Sequence, residues 1–251
     1  MKRTFMLIKI LRMLGDIGLR SFMIFFSCRY FIAKDVIYVP TSIGKVAVRP
    51  RSSDIKVLYS CIFEEYRHLG RIIPEGFTFY DFGGYAGYSA LASKKFLNPG
   101  LVHIYEPIKE NFDLAKMNLR NLSGVSIYNH GIGSETKSII MTAKRDEHWS
   151  WSEVEVNGSS PEMGQTVNIV KPTTIIIDKT VFNFAKFDIE GSEKCLLCSH
   201  NMQWLQDFDA ILIEFHDNIV PGVSNQIVSK LSTKFSITEL GQEKILFMKK
   251  A

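Results

Sequence analysis

Four short stretches of this chain place glycines or ionisable side chains where an apolar run ends. Asp81-Phe82-Gly83-Gly84-Tyr85-Ala86-Gly87-Tyr88 follows the apolar run 77–80 and leads into 89–96, which reads as a helix. Glycine lets a backbone turn sharply and approach a ligand where a Cβ would collide, and the first N–H groups of a helix have no partner within it. An acid, a glycine-rich turn and a helix start together suit a nucleotide cofactor, although surface turns use the same residues. Twenty-three positions after Gly83, the strand-like run 101–105 ends in Glu106-Pro107. An acid at that distance suits a pair of ribose hydroxyls. The run 184–187 ends in Asp188-Ile189-Glu190-Gly191-Ser192-Glu193, and 210–213 ends in Glu214-Phe215-His216-Asp217. Ligands of open α/β sheets bind beyond the carboxyl ends of the strands, so the four stretches point to one site.

Asp188, Glu190, Glu214 and His216 are the residue types that take a proton from a reacting hydroxyl. Each is equally a type that caps a helix start or closes an ion pair, Glu190 above all. His68, His103, His130, His148 and His200 have no partners at metal-ligand spacing, and no metal is expected.

The elements that must hold these residues alternate. After residue 35, strands are expected over 36–39 and 45–48, joined by Pro40-Thr41-Ser42-Ile43-Gly44. Asp54 is placed to cap a helix that carries Ile55, Leu58, Ile62, Tyr66 and Leu69 on one face and stops at Gly70. Strand 77–82, helix 87–96, strand 101–105, helix 109–121 and strand 125–129 follow. Between Ser134 and Asp178 the pattern breaks into strand-like runs at 138–141, 151–156 and 167–170, with a turn at Asn157-Gly158. This reads as a β insert over about 135–178. Strand 183–188, helix 192–205, strand 209–215 and helix 223–232 resume the alternation, and the runs 236–240 and 244–248 form a hairpin. The pattern predicts a largely parallel sheet finished by an antiparallel edge.

The glycine spacing is not the G-x-G-x-x-G of dinucleotide-binding oxidoreductases. Five helix-flanked strands closed by an antiparallel hairpin resemble the plan of class I S-adenosyl-L-methionine-dependent methyltransferases. Several stretches sharpen that likeness: the loop 81–88; Tyr105-Glu106-Pro107 with Asn111 and Asn118; Thr173-Thr174-Ile175 with Asp178; Lys186-Phe187-Asp188-Ile189-Glu190-Gly191-Ser192-Glu193; and Ile213-Glu214-Phe215-His216. Together, from about Tyr80 to His216, they resemble the FkbM-type methyltransferase family. The resemblance implies a Rossmann-like α/β fold and methyl transfer to a hydroxyl of a sugar, glycan or lipid-linked small metabolite. It implies that Gly83, Gly84 and Gly87 pass beneath the methionine part of the cofactor and that Glu106 holds the ribose. Asp81, Tyr85, Tyr88, Pro107, Gly131 and Asp188 complete the expected cofactor set. The family's loop carries Ala-Asn where this chain has Gly84-Tyr85, so a side-chain contact from position 85 is not implied. His148-Trp149-Ser150-Trp151 in the insert suits either a sugar ring or simple hairpin packing, and acceptor choice is expected to lie there.

Composition bounds the alternatives. Hydrophobic residues at 46% and charged residues at 22% describe a folded chain rather than a disordered one. Residues 1–34 carry seven bases and one acid, so the net +4 of the chain leaves −2 for residues 35–251, and nucleic acid is not an expected partner. Lys9, Arg12, Asp16 and Arg20 share one face of a helix whose remaining surface is apolar. Such a segment suits an anionic membrane surface, or packing on the domain or on a second subunit. Its longest uncharged run, Ser21 to Cys28, is too short to span a bilayer. The four cysteines form no secreted framework, which favours a reducing compartment: cytoplasmic, peripheral at the inner membrane face. Cys195 and Cys198 read as small core residues one helical turn apart. Two other readings of the same residues stand: an NAD-dependent oxidoreductase and a noncatalytic membrane-surface binding protein. The sequence leaves the oligomeric state open.

Overall fold

The computed structural model describes residues 36–143, 151–153, 164–190, 192–197, 202–241 and 243–250. The basic segment 1–34, His148-Trp149-Ser150, Asn157-Gly158, Gly191 and Cys198 lie outside the described residues. A hairpin opens the described chain, with Ile37–Thr41 (β1) antiparallel to Gly44–Val48 (β2). The helical stretch Asp54–Leu69 is interrupted over Cys61–Glu65 by a wider, π-helical turn. Turns of this kind gather at functional sites. This one brings Glu65 to Lys244, 2.6 Å away and 179 residues along the chain.

Thr78–Phe82 (β3) begins the main sheet and is buried along its whole length. Leu101–Tyr105 (β4) and Val125–Tyr128 (β5) follow, separated by the helices Tyr88–Phe96 and Lys109–Leu119. The strands Gly131–Ile132 (β6), Lys137–Ala143 (β7), Trp151–Glu153 (β8) and Gly164–Val170 (β9) make a separate four-stranded sheet in the order β6-β9-β7-β8. The chain returns to the main sheet with Asn183–Phe187 (β10) and Ala210–Glu214 (β11). After the helix Val223–Leu231, Phe235–Gly241 (β12) and Lys244–Lys249 (β13) close it.

The main sheet runs β12-β13-β11-β10-β3-β4-β5. β11, β10, β3, β4 and β5 are parallel, and β13 is antiparallel to both its neighbours. The antiparallel strand is therefore second from the edge: β13 folds back between β11 and β12, and β12 rather than β13 ends the sheet. From β3 the chain builds outward first through β4 and β5, then the other way through β10 and β11. The switch point lies between β3 and β10, where ligands of such sheets bind.

Alternation gives the sheet two apolar faces. Phe79, Ile104, Phe184 and Leu212 pack against Leu58, Tyr66, Ala90 and Leu114 of the helices on one side. Tyr80, Phe82, Phe187 and Ile213 pack against Leu196, Leu205, Ile227 and Leu231 on the other. Two expectations fail here. Among the described residues, the helix expected over 192–205 is α-helical at Glu193–Leu197, while Gln203–Asp207 is a 3-10 turn. There Trp204 packs edge-on to Phe187 and Phe208, which ties the turn to the core of the sheet's second face. Cys195 is exposed rather than core, because Glu193, Leu196 and Leu197 are the residues of that helix turned inward.

Candidate active site

The glycine turn is shaped first by the protein's own packing. Gly83 has φ +84°, and a Cβ there would lie 1.8 Å from the carbonyl oxygen of Asp188. Gly87, at φ +77°, passes over Leu119 with room for no side chain, and a Cβ on Gly84 would meet Ile104 at 2.2 Å. These glycines let β3, β4, β10 and the helix Lys109–Leu119 converge. The sequence reading gave all three to the cofactor; Gly87 lines neither cavity described below. Asp81 departs likewise. It is wholly buried behind the turn, accepting a hydrogen bond from Ser89, with its other oxygen 3.8 Å from Lys186. The register pairs Asp81 with Lys186 on adjacent parallel strands, which aligns their side chains on one face.

Glu106 directly follows β4 and is 4% exposed. Its Oε2 accepts the Tyr85 N–H at 2.8 Å, and its Oε1 accepts the Ile108 N–H at 2.9 Å and the Asn111 amide at 3.3 Å. Burial pushes its carboxyl up to about 7 despite these donors. Asn111 also accepts from Arg49, whose guanidinium is paired with Asp54. The Tyr85 hydroxyl donates to Asp54, which closes a polar ring from Glu106 back to Tyr85. Asp54 was expected to cap a helix; it is instead buried as the acceptor for Arg49 and Tyr85, and no side-chain cap is made there. Asn118 ties the turn to β2, accepting from the Ala47 N–H and donating to the carbonyls of Ala47 and Ala86.

Two cavities meet at this turn and share Val57, Gly83, Tyr85, Asp188 and Glu190. The first, about 340 Å³, has an apolar wall that includes Ile108, Ile132, Ile139, Met141 and Ile169, and is lined also by Glu106, Pro107 and Gly131. The described insert strands thus wall the first cavity, whereas the sequence reading gave the insert to acceptor choice. The second, about 520 Å³, is lined by Gly84, Tyr88 and a cluster of charges: Glu65, Lys186, Glu214, His216 and Lys244.

The charges are paired. Lys186, buried mid-sheet, donates to Asp188 at 2.8 Å. Burial would raise the Asp188 carboxyl, but the Lys186 charge and hydrogen bond, with His216 and Lys244, hold it below the ordinary range. Lys244 lies 2.6 Å from Glu65 and 3.1 Å from Glu214. Burial and the Asp188 charge raise Glu214 to about 7 and Glu190 to about 8. Glu190 adopts φ 52° and faces His216 Nε2 at 3.6 Å, so it is part of the cluster rather than the cap it resembled in sequence. His216 Nδ1 lies 2.8 Å from Glu193 Oε1, and Nε2 is 3.8 Å from Asp188. Burial would lower the imidazole, but the hydrogen bond and charge of Glu193, then Asp188 and Glu190, push it up to about 9. Asp188, Glu214 and His216 bring one atom each within 4.8 Å of one another, the only such metal-sized grouping of His, Cys, Asp and Glu among the described residues. Lys186 and Lys244 neutralise its carboxylates, and Glu193 holds its imidazole, so the grouping is an ion-pair network.

The sequence reading named Asp188, Glu190, Glu214 and His216, and the fold brings all four together. It missed Lys186, Glu65, Lys244 and Glu193. Lys186 and Glu193 stand inside the stretch that carries Asp188, where a charged residue in a buried strand was a usable signal. Glu65 and Lys244 are joined only by the fold.

The strand order, the switch point at β3/β10 and the reversed β13 define a Rossmann-like α/β fold of the class I methyltransferase plan. No protein-family profile matches the chain, and no curated protein matches it. Among solved structures, M. jannaschii TYW2 in complex with AdoMet is 9% identical, with 88% of this chain and 89% of that one covered at a TM-score of 0.43. An rRNA methylase from Streptococcus thermophilus is 10% identical over 73% and 92%, TM-score 0.43. A ribosomal protein L11 methylase from Lactobacillus delbrueckii subsp. bulgaricus is 13% identical over 74% and 78%, TM-score 0.38. These likenesses are distant, and the fold assignment rests on the chain's own strand order.

Proposed function

We propose that this chain is an S-adenosyl-L-methionine-dependent O-methyltransferase of the FkbM type, with the cofactor in the first cavity and a hydroxyl acceptor in the second. The observation that carries the reading is the shared wall: Asp188 and Glu190 separate an apolar cavity ending in a buried carboxylate from a charged cavity holding an imidazole. The residues fit the cofactor. Ile108, Ile132 and Ile169 offer an apolar slot to an adenine, and Glu106 offers acceptor oxygens to the ribose hydroxyls. When bound, the cofactor supplies a methyl group on a positively charged sulfur that departs with the bonding pair. The protein then has to hold an acceptor oxygen in line and take its proton. His216 lines the second cavity and takes the proton in its neutral form; Asp188, ionised by its lysine, favours the charged imidazole, so this role strengthens as pH rises toward 9.

Paired charges and few apolar groups in the second cavity suit a hydroxyl-rich acceptor such as a sugar, a glycan or a lipid-linked metabolite. RNA and protein methylases are among the similar folds, and they supply the rival acceptor class. The net −2 of residues 35–251 gives little attraction for a phosphate backbone. An NAD-dependent oxidoreductase is disfavoured by the glycine spacing. The basic, apolar segment 1–34 carries the enzyme to an anionic inner-membrane surface, with the catalytic domain in the cytoplasm. The test is incubation with methyl-labelled cofactor and separate panels of glycans, lipid-linked sugars and RNA. Label in an ether linkage of the sugar panels supports the reading, and label only in RNA overturns the acceptor assignment.

A further inference from the structure

We propose that Glu193 is a positioning residue: it anchors His216 through Nδ1 so that Nε2 is the nitrogen presented to the transferred methyl group and to the acceptor proton. The inference rests on the reading that cofactor and acceptor occupy the two cavities. Glu193 is wholly buried at the start of its helix and lines neither cavity. Its Oε1 takes the His216 Nδ1 contact at 2.8 Å and the Ile189 N–H at 3.4 Å, while Oε2 has no hydrogen-bond partner among the described residues. A buried carboxylate with an unused oxygen needs a compensating charge, and among the described ion pairs His216 is the partner Glu193 has. The carboxylate accepts only, so a neutral imidazole beside it keeps its proton on Nδ1 and leaves a bare Nε2 lone pair. That nitrogen sits 3.8 Å from Asp188 and 3.6 Å from Glu190, the wall common to both cavities.

The groups facing the ring are Glu193 from its helix, Asp188 and Glu190 from the end of β10, and Glu214 from β11. Lys186 acts through Asp188, and Lys244 acts through Glu214. An imidazolium at the shared wall repels a sulfonium but is indifferent to the neutral sulfur of S-adenosylhomocysteine. Both ligands carry the same amino acid and adenosine groups, so their affinity ratio isolates the charge at sulfur.

The experiment is calorimetric titration of the full chain with S-adenosylmethionine and S-adenosylhomocysteine between pH 6.5 and 9.5, in wild type and Glu193→Gln. In wild type the methionine ligand should gain on the homocysteine ligand by severalfold as pH rises through the His216 titration. In Glu193→Gln the midpoint of that gain should move down by at least about one pH unit, because the neutral amide no longer holds the imidazolium. Affinity for S-adenosylhomocysteine should stay within about twofold of wild type at pH 9.5, where neither ring is fully charged. Ionisation of Glu190, raised to about 8, moves the ratio in the same direction, so a merely structural ion pair at Glu193 would change thermal stability and leave the midpoint unmoved. A flat ratio in wild type, or an unmoved midpoint in the variant, overturns the inference. Should the variant not fold, ¹⁵N-histidine spectra of wild type at high pH decide, with His216 assigned through His216→Gln. Neutral His216 protonated on Nε2 overturns the inference, and on Nδ1 supports it. If wild type binds neither ligand, the function reading fails instead.

Discussion

Glu106 has both carboxylate oxygens engaged by its own chain, so a ribose would join an existing set of donors rather than meet an open acid. Glu106→Ala should weaken S-adenosylhomocysteine binding by about 10- to 100-fold, the scale of charge-assisted hydrogen bonds worth roughly 1.5–3 kcal/mol. Calorimetry on folded variant checks this, and unchanged affinity would move the ribose elsewhere. Because the carboxyl is raised to about 7, and hydroxyl donors favour its ionised form, affinity should climb as pH rises through that region. Asp188→Asn and His216→Ala act at the other end of the site. Turnover on an accepted hydroxyl should fall roughly 10²–10⁴-fold in the variant that removes the base, with S-adenosylhomocysteine affinity little changed for His216→Ala. Full turnover in both variants would discard the proton-transfer assignment. Asp188, Glu190, Glu214 and His216 were legible in sequence because each closes an apolar run. Asp81 misled for the same reason: its strand ends in an acid, but that acid turns back under the loop to Ser89 and Lys186.

Among the elements, the turn between β3 and its helix is where position dictates residue type most strictly. Gly83→Ala would push a Cβ into the Asp188 carbonyl at a backbone conformation L-residues rarely adopt. The expected result is a destabilised protein, with melting temperature down by several degrees or little soluble chain, rather than a folded one lacking only cofactor affinity. A Gly83→Ala protein that melts like wild type would contradict the geometry. The parallel core was readable because its strands are buried on both faces and alternate with amphipathic helices. The π-helical turn at Cys61–Glu65 was not, since nothing local distinguishes it from an ordinary helix; the Lys244 that meets its Glu65 arrives only through β13. Nor was the placement of β13 inside β12, because a hairpin's sequence fixes its register but not which of its strands docks on β11.

For the whole molecule, the site stores protons. Glu106, Glu190 and Glu214 are raised to about 7, 8 and 7 from an ordinary 4.5, and His216 is raised to about 9 from 6.5. A folded state that keeps protons which the unfolded chain has lost is stabilised at low pH and loses that stability as pH rises. The carboxyls act between about 4.5 and 8, and the imidazole between 6.5 and 9. One proton held differently changes stability by about 1.4 kcal/mol per pH unit, so the ligand-free melting temperature should fall from pH 5 to pH 9 by at least a few degrees. Asp188, depressed, opposes this only in acid below its ordinary 3.8, and His103, lowered by burial, opposes it only below its ordinary 6.5. Scanning calorimetry across that range checks the direction, and a melting temperature that rises would contradict it. Residues 1–34 should carry the full chain onto anionic vesicles in a salt-sensitive way that a chain beginning at Asp35 loses; a full chain that stays off such vesicles as a dimer would assign the segment to assembly. No helix among the described residues is long and apolar enough to cross a membrane. The central claim is that the first cavity takes S-adenosyl-L-methionine, and it is tested most directly by parallel calorimetric titration of wild type with S-adenosylmethionine, S-adenosylhomocysteine and NADH. Saturable one-to-one binding of the first two and none of NADH is the expected result. Binding of NADH alone, or of none of the three by a folded protein, would contradict it.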